Sequence, residues 1–263
     1  VLMDDSFASS VNAIRNMRIT QNNIRKIIRY FLSGSLAVSF AFLFGLIIGT
    51  FWKNIMIQPL SLIHILWFDT IAIFIPAIAI VFKTPSGTLA EDMHIHGYIF
   101  NNELRGNILI RGILTGIFAI IVYIFSFGPA ESWNTNQEHA STALLTILIM
   151  SQLAFAFQCC SNKNGFFSKF VSNKLMIFLL IIVLLMHLSI IYIPILNTVF
   201  GTKPLSLIDW IPIAVAFAIL SLPLDEIFAT RIEYEEETEY ENKQSESNEA
   251  TNEVNTDDVN KES

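Results

Sequence analysis

Twenty-two consecutive residues, Leu175 to Leu196, contain no Asp, Glu, Lys or Arg. An α-helix of that length covers roughly 30 Å, the thickness of a bilayer's hydrocarbon core. Five further apolar stretches of similar length bring the expected spans to six, at about 30–52, 56–82, 108–127, 141–160, 175–196 and 205–224. With 53% hydrophobic and 15% charged residues in 263, the chain is expected to be a polytopic, all-α membrane protein. Its solvent is the lipid bilayer, and nucleic acid is not an expected partner.

The net charge of -7 is unevenly placed. Residues 233–263 hold twelve acidic and two basic side chains, which leaves the rest of the chain at +3. That segment has almost no large aliphatic residues and cannot bury enough apolar surface to offset its ordering entropy, so 229–263 is expected to be a disordered acidic tail. An even number of spans puts both ends on one side. If that side is cytoplasmic, the inner segments hold Arg15, Arg18, Arg25, Lys26, Arg29, Lys83, Arg105, Arg111, Lys163, Lys169, Lys174 and Arg231, whereas only Lys53 and Lys203 lie outside. The positive-inside bias therefore predicts cytoplasmic termini, in a plasma or internal membrane. Trp52, Trp133 and Trp210 fall near the expected outer boundary, as an aromatic belt requires.

Ahead of the first span, Asp4, Asp5 and Ser6 can cap a helix whose apolar positions Phe7, Val11, Ile14 and Met17 recur every three or four residues. An amphipathic cytoplasmic helix is expected, continuing through NNIRKIIRYF into the membrane as a stalk. Its apolar face has no obvious partner within the chain. The sequence opens with VLMDDSFASSV, without an initiator methionine, and reads as if it began mid-protein. Within span one, Ser33, Ala37, Ala41, Gly45 and Gly49 form a stripe of small residues along one helix face, and Gly112 and Gly116 repeat the device in span three. Such stripes let membrane helices approach closely. Cys159 and Cys160 are adjacent, a poor geometry for a disulfide framework.

Of the eleven acidic residues before the tail, only Asp69 lies deep in a span, within HILWFDTIAIFIP. A carboxylate at the centre of a membrane helix costs about 2.5–3.5 kcal/mol on insertion scales and calls for a partner, a proton or a function. Its neighbours Ile65, Leu66, Ala72 and Ile73 are apolar, so the partner must come from another helix, from water or from an ion. Transport and a structural, hydrogen-bonded aspartate are the two open readings. Pro76 removes the amide that would pair with the carbonyl near residue 72, and a freed carbonyl in a bundle can coordinate a cation. Ser33, Ser35, Ser39, Ser151 and Gln152 are neutral oxygen donors that suit hard cations, or that glue helices together. DMHIHG, at 92–97, has too few ligands for a metal site. His187 is most simply a hydrogen-bonding core histidine.

DDSFASSVNAI, NNIRKIIRYFLS, SQLAFAFQCCS and NKLMIFLLIIVLLMHLSIIYIPILNTVFGTKPLSLIDW through PLDEI give the chain its resemblance to the C-terminal third of a P-type cation-transporting ATPase of the calcium-pump-like class. The resemblance covers about residues 1–230. It implies that 1–26 is the end of a phosphorylation domain with its stalk, and that 27–228 is a six-span membrane domain equivalent to the fifth to tenth helices of the pump. It also implies that the partner of the amphipathic helix is the rest of that phosphorylation domain. In calcium pumps RYLxSS is followed by asparagine and, three residues on, glutamate; the matching positions here are Ser35 and Val38. The next helix of the family has asparagine or aspartate, three residues, aspartate, two residues, proline, which here reads Asp69, Ile73 and Pro76. Gln152 falls where members carry glutamate or glutamine.

The resemblance thus implies an ion pathway of Asp69, Ser35, Gln152 and Pro76, with Asp69 as the candidate cation ligand and two carboxylates replaced by Val38 and Ile73. No catalytic residue is expected in this chain, which has no DKTG, TGES or GDGxND motif. ATP and Mg²⁺ would belong to a catalytic part outside it. Three functions follow as expectations: a calcium-pump-like membrane domain, a pump for a monovalent cation or proton, or a non-transporting remnant that serves as an interaction module.

Overall fold

In the computed structural model, residues 7–51, 59–82, 102–127, 133–160 and 174–222 are described. Every regular element among them is helical: α1 (Phe7–Phe51), α2 (Leu62–Trp67), a π-helical segment (Phe68–Phe74), α3 (Ile75–Val81), α4 (Asn102–Phe127), α5 (Trp133–Cys160), α6 (Lys174–Tyr192), α7 (Pro194–Phe200) and α8 (Trp210–Leu220). The tail, the DMHIHG segment and the capping residues Asp4 to Ser6 lie outside the described residues.

Helix α1 runs unbroken for 45 residues, about 68 Å and more than twice a hydrocarbon core. The expected stalk and first span are therefore one rod. Ile14 and Met17 of the expected apolar face remain exposed, at 51% and 69%. The small-residue stripe meets a partner. Ser33, Ala37 and Ala41 are buried, and α4 lies against them so closely that a Cβ at Gly112 would sit 2.7 Å from Leu36 Cβ, and one at Gly116 2.6 Å from Phe40 Cβ. Only glycine permits that separation, in a setting where packing rather than hydrophobicity drives association.

Helix α5 is the centre of the bundle. Ala143 through Ile149 are all fully buried, including Thr146, so the helix is enclosed on every side rather than amphipathic. Thr146 and Thr142 satisfy their hydroxyls within α5, on the carbonyls of Thr142 and Glu138. The fully buried His187 of α6 reaches Thr146 Oγ1 through Nε2 at 3.1 Å. Thr146 already donates, so the imidazole N–H is the donor in that bond. His187 is the hydrogen-bonded core histidine expected from its surroundings. Cys159 is buried.

Several expected boundaries are corrected. Span two is not one α-helix: Pro76 cannot donate to the carbonyl four residues earlier, and Phe68–Phe74 winds with wider π pairing between two short α-helices. Span five stops at Tyr192 because Pro194 holds Ile193 in an extended conformation (φ -87°, ψ 116°), as a residue before proline prefers. Helix α7 then ends on Gly201 in the left-handed region (φ 65°), a conformation glycine adopts without penalty. Span six begins at Trp210 rather than near 205, because the Asp209 carboxylate takes the Ser206 N–H (2.7 Å) and hydroxyl (2.6 Å) and closes a turn. Five helices among the described residues are long and apolar enough to cross a bilayer, while α8 is a shorter apolar helix of 11 residues.

Arg111, counted from the sequence among the inner-side cations, lies inside span three and is buried, 3% exposed. Its guanidinium donates to the carbonyls of Leu220 (2.6 Å) and Ser151 (3.2 Å) and lies over the Phe155 ring, 4.7 Å from its centroid. A cation at the carboxyl end of α8 also opposes the negative pole of that helix. The long side chain thus finds three partners on two other helices, which makes its burial tolerable.

Candidate functional site

The residues singled out from the sequence occupy two environments. Gln152 and Pro76 are buried in the bundle, whereas Asp69 and Ser35 lie on the exposed surface of the described chain. Asp69 is the second residue of the π-helical segment, flanked by exposed Leu66 and Thr70. A π turn in a membrane helix changes which side chains share a face and is frequent at functional sites. Pro76, which has no N–H to donate, follows two residues after the segment ends.

The carbonyl that Pro76 leaves without its α-helical donor belongs to Ala72. Tyr30 of α1, itself fully buried, donates its hydroxyl to that oxygen. The same tyrosine is held from the other side. Its ring stacks on Phe155 of α5 at 6.1 Å with an interplanar angle of 27°, and its carbonyl accepts a hydrogen bond of 3.1 Å from Gln152 Nε2. Arg29 and Arg111 both lie over the Phe155 ring, at 5.4 and 4.7 Å from its centroid.

Gly34 is the meeting point of these elements. A Cβ built there would lie 2.9 Å from Gln152 Nε2 and 2.9 Å from Ile73 Cδ1. The structure thus brings Gln152 and Ile73, two positions singled out by the resemblance, against the turn of α1 that precedes Ser35. Val38, one turn further, is 8% exposed, and Ile73 is 2% exposed. Both aliphatic replacements are packed into the core. Among the described residues no three His, Cys, Asp or Glu side chains gather as a metal centre would need.

Sequence reasoning missed Tyr30, Phe155 and Arg111. The Tyr30 contact joins residues 42 apart, and no local spacing encodes it. Arg111 was visible as a cation inside an apolar run, a signal that should have been treated like Asp69.

At the end of the bundle where α2 begins, a cavity of about 410 Å³ is lined by Ser61, His64, Gln137, Glu138, Ser141, Phe200 and Gly201. None of the four expected pathway residues lines it. His64 donates from Nε2 to the Phe200 carbonyl at 2.8 Å, and its Nδ1 accepts the Ser61 N–H at 3.4 Å, which fixes the tautomer and ties α7 to α2. Nearby, His139 joins the Ser126 carbonyl (3.2 Å) to the Asp209 carboxylate (3.1 Å). Partial burial acts to raise the Asp209 pKa, but the Ser206 hydroxyl and N–H together with His139 outweigh it and hold the carboxyl below its usual range.

Comparison with known proteins agrees with this architecture. A family model described as "Cation transporting ATPase, C-terminus" matches residues 57–230. A "Calcium-transporting ATPase" of Bacillus subtilis is 29% identical over 212 residues, covering 80% of this chain and 23% of the relative. "Calcium-transporting ATPase 1" of Bacillus cereus is 28% identical over 242 residues, covering 86% and 26%. The "Endoplasmic reticulum calcium ATPase srcA" of Aspergillus fumigatus is 24% identical over 247 residues, covering 80% and 24%. The chain spans about a quarter of the length of these relatives. With its helical membrane bundle and a family match over most of its length, the chain belongs to the C-terminal membrane region of the P-type cation-transporting ATPases.

Proposed function

We propose that this chain is the membrane portion of an ATP-driven cation pump and that Asp69 marks its cation pathway. The observation that carries the reading is the placement of Asp69: a carboxylate within a π-helical turn just before Pro76, on a surface of the chain rather than in its core. A carboxylate facing lipid is costly, so this face calls for cover. The remaining helices of a pump would supply it, together with the ATP and Mg²⁺ sites that these residues do not contain. Ser35 lies on the exposed part of α1 and offers a hydroxyl, and Gln152 supports the same turn from within. Both termini are assigned to the cytoplasm by the charge distribution.

The transported ion is proposed to be monovalent, a metal cation or a proton. Val38 and Ile73 stand at family ligand positions and are packed as core aliphatics. A doubly charged ion would lack two of the carboxylates that compensate it in a low-dielectric site. The test is ATP hydrolysis by the complete protein that contains this chain, measured with Na⁺, K⁺, H⁺ and Ca²⁺ varied separately. Stimulation by a monovalent ion that drops at least tenfold in Asp69→Asn is the expected outcome, equivalent to about 1.4 kcal/mol or more. Stimulation by micromolar Ca²⁺ alone would reject the monovalent reading. An unchanged response in Asp69→Asn would instead favour a non-transporting module.

A further inference from the structure

Tyr30 is a fully buried polar side chain whose hydroxyl reaches across to another span. Its partner, the Ala72 carbonyl, is the group that an ordinary α-helix would pair with the N–H of residue 76. Proline has no such N–H. Ala72 lies inside the π-helical segment, three residues after Asp69, and is itself fully buried. Water is therefore not at hand to replace the tyrosine, and a buried carbonyl without a partner is disfavoured.

The tyrosine is also held in place. Phe155 stacks on its ring, Phe31 meets the ring edge-on at 6.3 Å, and Gln152 donates to its backbone carbonyl. Phe155 is in turn covered by the guanidinium groups of Arg29 and Arg111. A rigid α5 thus presents the hydroxyl of α1 to one carbonyl of the irregular span. If Phe68–Phe74 wound back to α pairing, Asp69 would rotate about the helix axis relative to α3. The hydroxyl on Ala72 ties this turn to α1, so the segment cannot rewind or rotate without breaking that bond.

We propose that Tyr30 is a positioning residue for the cation pathway: its hydroxyl, donated to the Ala72 carbonyl, sets the register of the π-helical segment and so the direction in which Asp69 points. This rests on the reading of Asp69 as a cation ligand. It adds a residue that touches no ion, lies on a different helix, and acts through one hydrogen bond. It also gives the aromatic and guanidinium stack a purpose beyond packing, since that stack keeps the hydroxyl in place.

The test uses the complete protein in membranes, with ATP hydrolysis followed against the concentration of whichever of Na⁺, K⁺, H⁺ or Ca²⁺ stimulates the unmodified protein. Tyr30→Phe keeps the ring and removes the hydroxyl. It should raise the half-maximal cation concentration about three- to tenfold, the range set by one lost hydrogen bond, while the rate at saturating cation stays within about twofold. In the Asp69→Asn background, Tyr30→Phe should add nothing further. Phe155→Leu, which loosens the ring but retains the hydroxyl, should shift the half-maximal concentration in the same direction by less, and serves if the phenylalanine variant does not accumulate. A Tyr30→Phe protein with an unchanged half-maximal concentration, or effects of Tyr30→Phe and Asp69→Asn that simply multiply, would overturn the positioning role while leaving Asp69 in the pathway. If Asp69→Asn alone leaves the cation response intact, the pathway reading fails and the positioning role falls with it.

Discussion

Helix α4 and the broken span α2–π–α3 both pack against α1, and they do so in opposite ways. Along the α1–α4 seam, Ser33, Ala37 and Ala41 face Gly112 and Gly116, and backbones approach until a single Cβ would collide. Nothing there can move without separating two helices. Towards the broken span, α1 offers a tyrosine hydroxyl and the bare backbone of Gly34, covered by the side-chain ends of Ile73 and, from α5, Gln152. That contact is made by side-chain tips and hydrogen bonds, which can yield. One chain thus contains a rigid seam next to an adjustable one, and the single deep carboxylate sits on the adjustable side. On the proposed pathway role of Asp69, a span that turns its charge during a transport cycle gains from contacts made by side-chain ends.

The strongest way to break this comparison is to make the rigid seam yield. In the double variant Gly112→Ala, Gly116→Ala, each new methyl meets a Cβ of α1 under 3 Å away, and at Gly116 the backbone nitrogen of Ala41 also lies 3.1 Å from the new carbon. Overpacking of this kind costs typically 1–3 kcal/mol per site, and neither neighbour can swing aside. The apparent melting temperature of the detergent-solubilised protein should fall by several degrees, whereas the half-maximal cation concentration of the surviving fraction should hardly move. A double variant as heat-stable as the parent would show that the seam is looser than its geometry indicates.

Gly34→Ala tests the adjustable side with the same added methyl. The clashes, both at 2.9 Å, are with the terminal atoms of Gln152 and Ile73, which have rotamers to explore. A smaller stability loss is expected, below about 1.5 kcal/mol, because flexible ends relax more readily than backbone. The functional effect should be the reverse of the seam's. Displacing Gln152 removes the donor on the Tyr30 carbonyl, so the cation response should shift more than the melting temperature does. A variant that melts early with an unchanged cation response would place Gly34 in the same class as Gly116 and remove the contrast.

What could be read from the sequence divides along the same line. Periodicity and hydropathy carry the apolar spans, the long α1 rod and the stripe facing Gly112 and Gly116, because each depends on residues close in sequence on one helix face. Asp69 and Pro76 could be identified by type, as a charge and a helix breaker in an apolar run. Their consequences could not. That the Ala72 carbonyl is taken by the Tyr30 hydroxyl could not be read locally, because the two residues lie 42 apart. The surroundings of Arg111 could not be read for the same reason: Ser151, Phe155 and Leu220, which meet it, are all on other helices. The start of α8 was misplaced because the turn closed by Asp209 and Ser206 interrupts an otherwise apolar stretch.

Asp209 is a carboxylate held in a third way, neither wedged into a close-packed seam nor carried on a yielding turn, and it sharpens the contrast by giving the smallest effect. Its oxygen accepts from the Ser206 N–H and hydroxyl and faces His139, while Glu138 beside it pairs with Lys203 at 3.2 Å. These donors hold the carboxyl below its ordinary value of 3.8 despite partial burial. A carboxyl lowered in the folded state contributes stability that is complete above its unfolded value and is lost as pH falls through its folded one. In Asp209→Asn the contribution is absent at every pH. The variant should melt slightly below the parent at pH 7, and the gap should narrow as the pH drops below about 4, where the parent's own carboxyl takes up its proton. Because Glu138 and its lysine partner are common to both proteins, the difference between the two melting curves reports the Asp209 carboxylate together with its His139 contact. A gap that stays constant from pH 7 to 3 would mean that shape, and not charge, is what this residue contributes to the turn before α8.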